Sequence, residues 1–126
     1  MQHENQIEIS VVSQYVEAQS EPSADRYVFA YTIEISNHGE QTCQLLNRHW
    51  VITDGTGSVE EVRGEGVVGK QPTLAPGESF KYTSGAILKT PVGTMQGSYE
   101  FSEVAAGALF DVPIQVFSLT VPSMVH

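Results

Sequence analysis

The chain has 126 residues, about one domain's worth, and a formal net charge of −9 from 15 acidic and 6 basic side chains. That balance repels phosphate backbones and anionic lipid surfaces, so it excludes a general nucleic-acid binder and argues against a membrane partner. A single cysteine, Cys43, excludes an intramolecular disulfide and a thiolate metal cluster, and no apolar run approaches the ~18 residues a membrane span needs.

The N-terminal Met1-Gln2-His3-Glu4-Asn5-Gln6 is polar and acidic, with no apolar segment behind a basic start. It does not read as a signal peptide, and the expected location is the cytoplasm, where a lone cysteine stays reduced. From Gln6 the hydrophobic period is two. Gln6 to Glu17 alternates at its start, and Tyr27 to Ser36 alternates more strongly. β-Branched and aromatic residues alternating with polar ones predict half-buried strands. Ser20 to Asp25 is loop chemistry between them, and Asn37-His38-Gly39-Glu40 is the next turn.

Gln41 to Thr53 predicts a third strand. Asp54-Gly55 suits a type I′ hairpin turn, with a return strand over Ser58 to Arg63. Ala75-Pro76-Gly77-Glu78 carries Pro then Gly at the central positions, the pattern of a type II turn. Ser79 to Ala86, Met95 to Val104 and Ala108 to Val121 complete the strands. Thr90 to Gly93 and Ala105-Ala106-Gly107 break the chain between them. No stretch has a convincing 3.6-residue period, and Ala105 to Phe110 holds one helical turn at most. About seven antiparallel strands at short spacing predict an all-β sandwich or barrel. No linker divides the chain, so residues 1–126 read as one domain with its core over about 6–121. The large core members are expected to be Tyr27, Phe29, Tyr31, Trp50, Phe80, Tyr82, Tyr99 and Phe101. Tyr82 is expected to place its hydroxyl on a backbone group near the Pro76-Gly77 corner.

One motif invites a ligand. Gly64-Glu65-Gly66-Val67-Val68-Gly69-Lys70 spells G-x-G-x-x-G and a lysine. Such glycines let a backbone approach a pyrophosphate, with Lys70 as counter-charge. The motif normally opens a helix, whose N-terminus carries part of the anion attraction. Here Gln71-Pro72-Thr73-Leu74-Ala75-Pro76-Gly77 follows, and two prolines with a glycine do not propagate one. Gly64, Gly66, Gly69 and Lys70 therefore read as a mobile or bulged contact loop, with ligand binding as the rival.

Other chemistry is sparse. The histidines His3, His38, His49 and His126 show no metal-binding spacing, although Asp54, Glu60 or Glu61 could approach His49 from a paired strand. No metal site and no cofactor are predicted. Cys43 sits in an apolar strand and reads as a small core residue. No nucleophile elbow or acid–base pair stands out, so no catalytic residue is assigned. On a strand, Arg48 and Trp50 share one face and His49 takes the other. Facing inward, Trp50 is core and Arg48 needs a partner or a sheet end. Facing outward, Arg48 and Trp50 form an interface anchor. The inward reading is preferred.

Three segments then carry a resemblance. Arg48 to Gly55, Val62 to Pro72 and Leu74 to Gly85 are similar to the bacterial ApaG (CorD) family, and Gly97-Ser98-Tyr99-Glu100-Phe101 and Phe110-Asp111-Val112-Pro113-Ile114 fit as well. The resemblance covers most of residues 6–121 in order. It implies a fibronectin type III-like or immunoglobulin-like β-sandwich. It also implies an association with cobalt tolerance and magnesium efflux, and relatives in which such domains resemble protein-binding modules. The expected function is a non-enzymatic binding or regulatory module with a protein partner, and with homo-oligomers through open sheet edges as a further possibility. The alternative is a protein that binds a phosphate-bearing ligand or a divalent cation at Gly64 to Lys70.

Overall fold

The computed structural model describes residues 6–122. Eight strands follow one another: β1 Ile7–Tyr15, β2 Tyr27–Asn37, β3 Cys43–Asp54, β4 Val59–Glu65, β5 Thr73–Leu74, β6 Ser79–Leu88, β7 Val92–Glu103 and β8 Leu109–Thr120. Seven are the strands expected from alternation. The eighth, β5, is two residues long and was not expected in so proline-rich a connection. It forms because Leu74 is buried and pairs with Cys43 of β3. The Ser20 to Asp25 loop follows one short 3-10 turn, Glu17–Gln19, and contains a second, Pro22–Ala24.

All strand pairs are antiparallel, in two sheets. The smaller has the order β1-β2-β6 and the larger β4-β3-β7-β8, with β5 added on β3. This is a fibronectin type III-like β-sandwich, and each sheet gives one face to the core. β1 and β8 meet along one flank, where the Ser13 hydroxyl donates to the Ser118 carbonyl at 2.8 Å. The edges β4 and β6 border the other flank. β4 guards its edge with Glu60, Glu61, Arg63 and Glu65, and β8 includes Pro113, which has no N–H to offer.

The core is aromatic at its centre. Trp50 packs on Tyr31, Phe117 and Tyr99 with ring centroids 5.6, 5.9 and 6.2 Å apart. Phe29, Tyr82 and Phe101 are also buried, as expected, while Tyr27 and Phe80 pack only partly. A β-bulge between Leu45 and Asn47 shifts the phase of β3. Cys43 and Leu45 face inward before it, and Trp50 faces inward after it. Without the bulge, Trp50 would point to solvent.

Two local expectations change. In the Asp54 hairpin the positive φ falls on Gly57, at +89°, and not on Gly55. The Gly57 N–H donates to the Asp54 carbonyl at 3.1 Å, so the turn is type I followed by a left-handed glycine. The Asp54 carboxylate accepts from Thr56 N–H, Thr56 Oγ1 and Ser58 N–H, which stabilises that shape and holds its pKa below the usual aspartate value. Tyr82 does not reach the Pro76-Gly77 corner, because its hydroxyl meets the Tyr99 hydroxyl inside the core. The corner belongs to Asn37 instead. Its backbone carbonyl accepts from Gly77 N–H at 2.8 Å, and its buried Nδ2 donates to the Gln41 and Leu74 carbonyls. The Ala75–Glu78 turn itself is as expected, with Gly77 at φ +86° and Glu78 N–H donating to the Ala75 carbonyl. The Ala105-Ala106-Gly107 break closes one helical turn through the Gly107 N–H to the Glu103 carbonyl at 2.7 Å.

Candidate functional site

The glycine motif does not form an open loop. Gly64 lies in β4, directly across from Arg48. A Cβ on Gly64 would come within 2.8 Å of the Arg48 guanidinium, which crosses it. Beyond β4 the chain folds back at once. Val67 and Lys70 exchange backbone hydrogen bonds at 2.8 and 2.9 Å, and the two residues between them, Val68 and Gly69, have φ of +45° and +78°. Positive φ at both central positions defines a type I′ turn. Gly66, at φ +61°, sits so close to Lys70 that a Cβ would lie 2.2 Å from its carbonyl oxygen.

This geometry makes the segment a closed turn where a mobile or bulged loop was expected. Val67 is 1% exposed and plugs the core, so the turn is pinned from below. The N–H groups of Gly66, Val67 and Lys70 are taken by Leu46, Lys70 and Val67 carbonyls. A phosphate cradle would need those donors free. Each glycine has a local structural reason: close approach of Arg48 at Gly64, and left-handed backbone at Gly66 and Gly69.

Arg48 and Trp50 share the inner face. Trp50 is 3% exposed, which removes it as a surface anchor: its ring is committed to the core cluster. Arg48 resolves its inward position at the open flank. Its Nη1 donates to the Glu65 and Gly66 carbonyls at 2.9 and 3.0 Å. The arginine thereby holds the end of β4 and the start of the turn in place.

On the other side of the larger sheet, β4, β3, β7 and β8 line a groove of about 630 Å³. Asn47, His49, Arg63, Ser98, Glu100 and Asp111 contribute to its wall. Alternation brings Asn47 and His49 out on this face, opposite Trp50. The walls are tied by cross-strand pairs. Asn47 Nδ2 donates to Glu100 Oε1 at 2.7 Å, and His49 Nε2 meets Glu61 Oε1 at 2.8 Å. Arg63 lies 3.8 Å from the same Glu61 oxygen. Of the carboxylates considered near His49, only Glu61 reaches it. Asp54 is engaged in its own turn, and Glu60 sits opposite Ile52. No group of three or more His, Cys, Asp or Glu residues able to hold a metal ion occurs among the described residues. His3 and His126 lie outside the described residues.

Ser98 faces His49 across the β3–β7 pair. No hydrogen bond joins them, and His49 Nε2 is already engaged by Glu61. A serine nucleophile would need that bond. Cys43 is buried, and its thiol pKa is raised by burial first and by the charge of Glu103 second, which disfavours a thiolate. Sequence reading missed Asn47, Arg63, Ser98, Glu100 and Asp111. Their outward parity was legible, but the order of the strands that carry them was not.

The described residues include no helix long and apolar enough to cross a membrane. The profile of the ApaG domain matches residues 17–103. Protein ApaG of Azoarcus sp. (strain BH72) is 59% identical over 120 residues, covering 95% of this chain and 94% of the relative. Protein ApaG of Escherichia coli O1:K1 / APEC is 56% identical over 118 residues, covering 94% of each. A crystal structure from Bordetella pertussis described as ApaA superposes with a TM-score of 0.89 at 53% identity, covering 92% of this chain and 94% of that one. The X-ray structure of a structural-genomics target superposes at 0.91 with 44% identity, covering 98% and 92%. Match length, identity and a shared sandwich agree, and the chain belongs to the ApaG family.

Proposed function

We propose that this chain is a non-enzymatic binding module that recognises a segment of a protein partner in the outer groove of its larger sheet. The observation that carries this reading is the groove itself. Its volume of about 630 Å³ falls within the roughly 300–1,000 Å³ of ligand sites. Its wall offers donors from Asn47, His49 and Arg63 beside acceptors from Glu100 and Asp111. Cross-strand pairing holds Asn47, His49 and Glu100 before any partner arrives, which lowers the ordering cost of binding. Alternating donors and acceptors suit the amides and polar side chains of a polypeptide. They suit a polyanion poorly, as does the net charge of −9.

No activated nucleophile or metal cluster lies in the groove, which supports a binding role over a catalytic one. The charged β4 edge discourages a second copy from pairing there, so the partner is a different chain. An effect on cobalt tolerance or magnesium efflux would run through that partner in the cytoplasm, without direct coordination of the ion. The phosphate reading of Gly64 to Lys70 has no comparable support, because the Gly66, Val67 and Lys70 amides are already bonded.

Placing a photo-crosslinking amino acid at Ser98, in the groove, and separately at Glu34, on the outer face of the smaller sheet, tests this. One discrete protein adduct from position 98, absent from position 34, is the expected result. Identical adducts from both positions, or none from either, would refute it.

A further inference from the structure

We propose that a second pocket, beneath the Val67–Lys70 turn on the open flank, is a carboxylate-binding site with Arg48 as its cation. The pocket holds about 190 Å³ and draws its walls from both sheets. Tyr31 comes from β2, Arg48 and Trp50 from β3, and Tyr82 and Ser84 from β6. The turn closes it with Val67, Val68 and Gly69.

Arg48 carries five N–H donors on a planar fork. Only Nη1 is engaged, by two carbonyls that fix the plane of the group. Nε and Nη2 have no acceptor among the described residues, and no described carboxylate forms an ion pair with Arg48. No buried side-chain nitrogen or oxygen lacks a partner, so these N–H groups open onto accessible space. Arg48 also borders the outer groove. Its guanidinium, however, lies over Gly64 on the inner side, close enough to Tyr82 and Tyr99 for its charge to favour their ionised forms against burial. The free edge therefore belongs with the inner pocket. No Asp or Glu lines that pocket.

The ligand class follows from shape and charge. Two N–H groups on one guanidinium edge match the two oxygens of a carboxylate. The Ser84 hydroxyl adds a further donor, and the rings of Tyr31 and Trp50 exclude water and strengthen the charge interaction. At about 190 Å³ the pocket lies below the roughly 300 Å³ at which drug-sized ligands begin, which excludes a nucleotide. A phosphate dianion would find the Val67 and Lys70 amides already bonded, and would meet stronger repulsion from a chain of net charge −9. The carboxylate can come from a free small acid or from a peptide's C-terminus. This inference does not depend on the outer groove.

The test is a titration of the whole chain followed by amide and arginine Nε–H NMR shifts. Sodium acetate is the probe, sodium chloride the control and inorganic phosphate the competitor. Saturable shifts with acetate at Arg48, Val68, Gly69 and Ser84 are expected. Ser84→Leu, which fills the pocket and leaves the bonds of Arg48 intact, should weaken binding at least about tenfold, as should Arg48→Gln. If Arg48→Gln does not fold, Ser84→Leu decides alone. A short peptide with a free C-terminus, compared with its amidated form, distinguishes the two sources. Tighter binding of the free form assigns a chain terminus, and equal weak binding assigns a small acid. Acetate shifts no larger than those of chloride, shifts that survive in Ser84→Leu, or phosphate binding as tight as acetate would each overturn the assignment.

Discussion

The guanidinium of Arg48 lies across Gly64, its strand partner, and fills the space where a Cβ would stand at 2.8 Å. From that position Nη1 donates to the Glu65 and Gly66 carbonyls and sets the start of the Val67–Lys70 turn. A charge on the inner face of a sandwich is thereby stabilised by main-chain oxygens at the open flank.

Gly64→Ala should push the guanidinium aside and weaken its two carbonyl bonds. The moving atoms belong to a flexible side chain, so the expected loss is about 1 kcal/mol of unfolding free energy. Gly97→Ala is the harsher change. A Cβ there would meet the His49 carbonyl oxygen at 1.9 Å, and backbone cannot step aside. That loss should exceed about 3 kcal/mol. Urea denaturation of both variants checks the ranking, and equal losses would contradict it.

Val68 is a β-branched residue at φ +45° and is half exposed. Left-handed backbone costs a residue of this kind about 1–2 kcal/mol. Val68→Asn should relieve part of that, and it completes the Asn-Gly pair that type I′ turns prefer. A gain of about 0.5–1 kcal/mol is expected, read as a higher denaturation midpoint.

The buried hydroxyls of Tyr82 and Tyr99 bond to each other. Tyr99→Phe leaves Tyr82 with an unpaired buried hydroxyl and should cost about 1–3 kcal/mol. Changing both to Phe should cost less than the sum of the single changes, because the pair is removed together. A double-mutant cycle that proved additive would show that the two hydroxyls are not coupled.

The same pair predicts an alkaline limit. Burial raises both phenols, Tyr82 to about 12 and Tyr99 further. Unfolded tyrosines ionise near pH 10, so above that pH the unfolded chain holds fewer protons than the folded one. The contribution is complete below about pH 10 and is lost as pH rises toward 12 and beyond, by at most about 1.4 kcal/mol per pH unit for each tyrosine. Denaturation series from pH 8 to about 12 should therefore fall more steeply for this chain than for the variant with both changed to Phe.

Asp54 gives the opposite sign. Hydrogen bonds from Thr56 and Ser58 favour its carboxylate and lower its pKa. Their contribution is complete above the ordinary aspartate value, near 3.9, and is lost as pH falls below it. The Thr56 and Ser58 amide resonances should move together in an acid titration, with a midpoint below that value. A midpoint at or above it would disprove the assignment.

Much of this architecture was legible before folding. Alternation in Tyr27 to Ser36 and in Ser79 to Ala86 located β2 and β6, because side chains of a half-buried strand must sort by parity. Pro76-Gly77 named its turn, since few residue pairs fit that backbone. The sandwich and the family followed from strands and segments that stand in order along the chain. The bulge at Leu45 and Asn47 was not legible. It breaks parity within β3, and it is what turns Arg48 and Trp50 together to the inner face.

The amino-acid sequence by itself determined seven of the eight strands, most turns, the aromatic core and the ApaG membership. Each depends on local periodicity, local backbone preference or ordered residue identity. Only the tertiary structure decided which residues meet. It spent the amides of Gly66, Val67 and Lys70 within the chain, joined Asn47, His49, Arg63, Ser98, Glu100 and Asp111 in one groove, and left an edge of Arg48 unbonded beneath a type I′ turn. Contacts between strands far apart in the chain arise from sheet order and register, which no local pattern encodes.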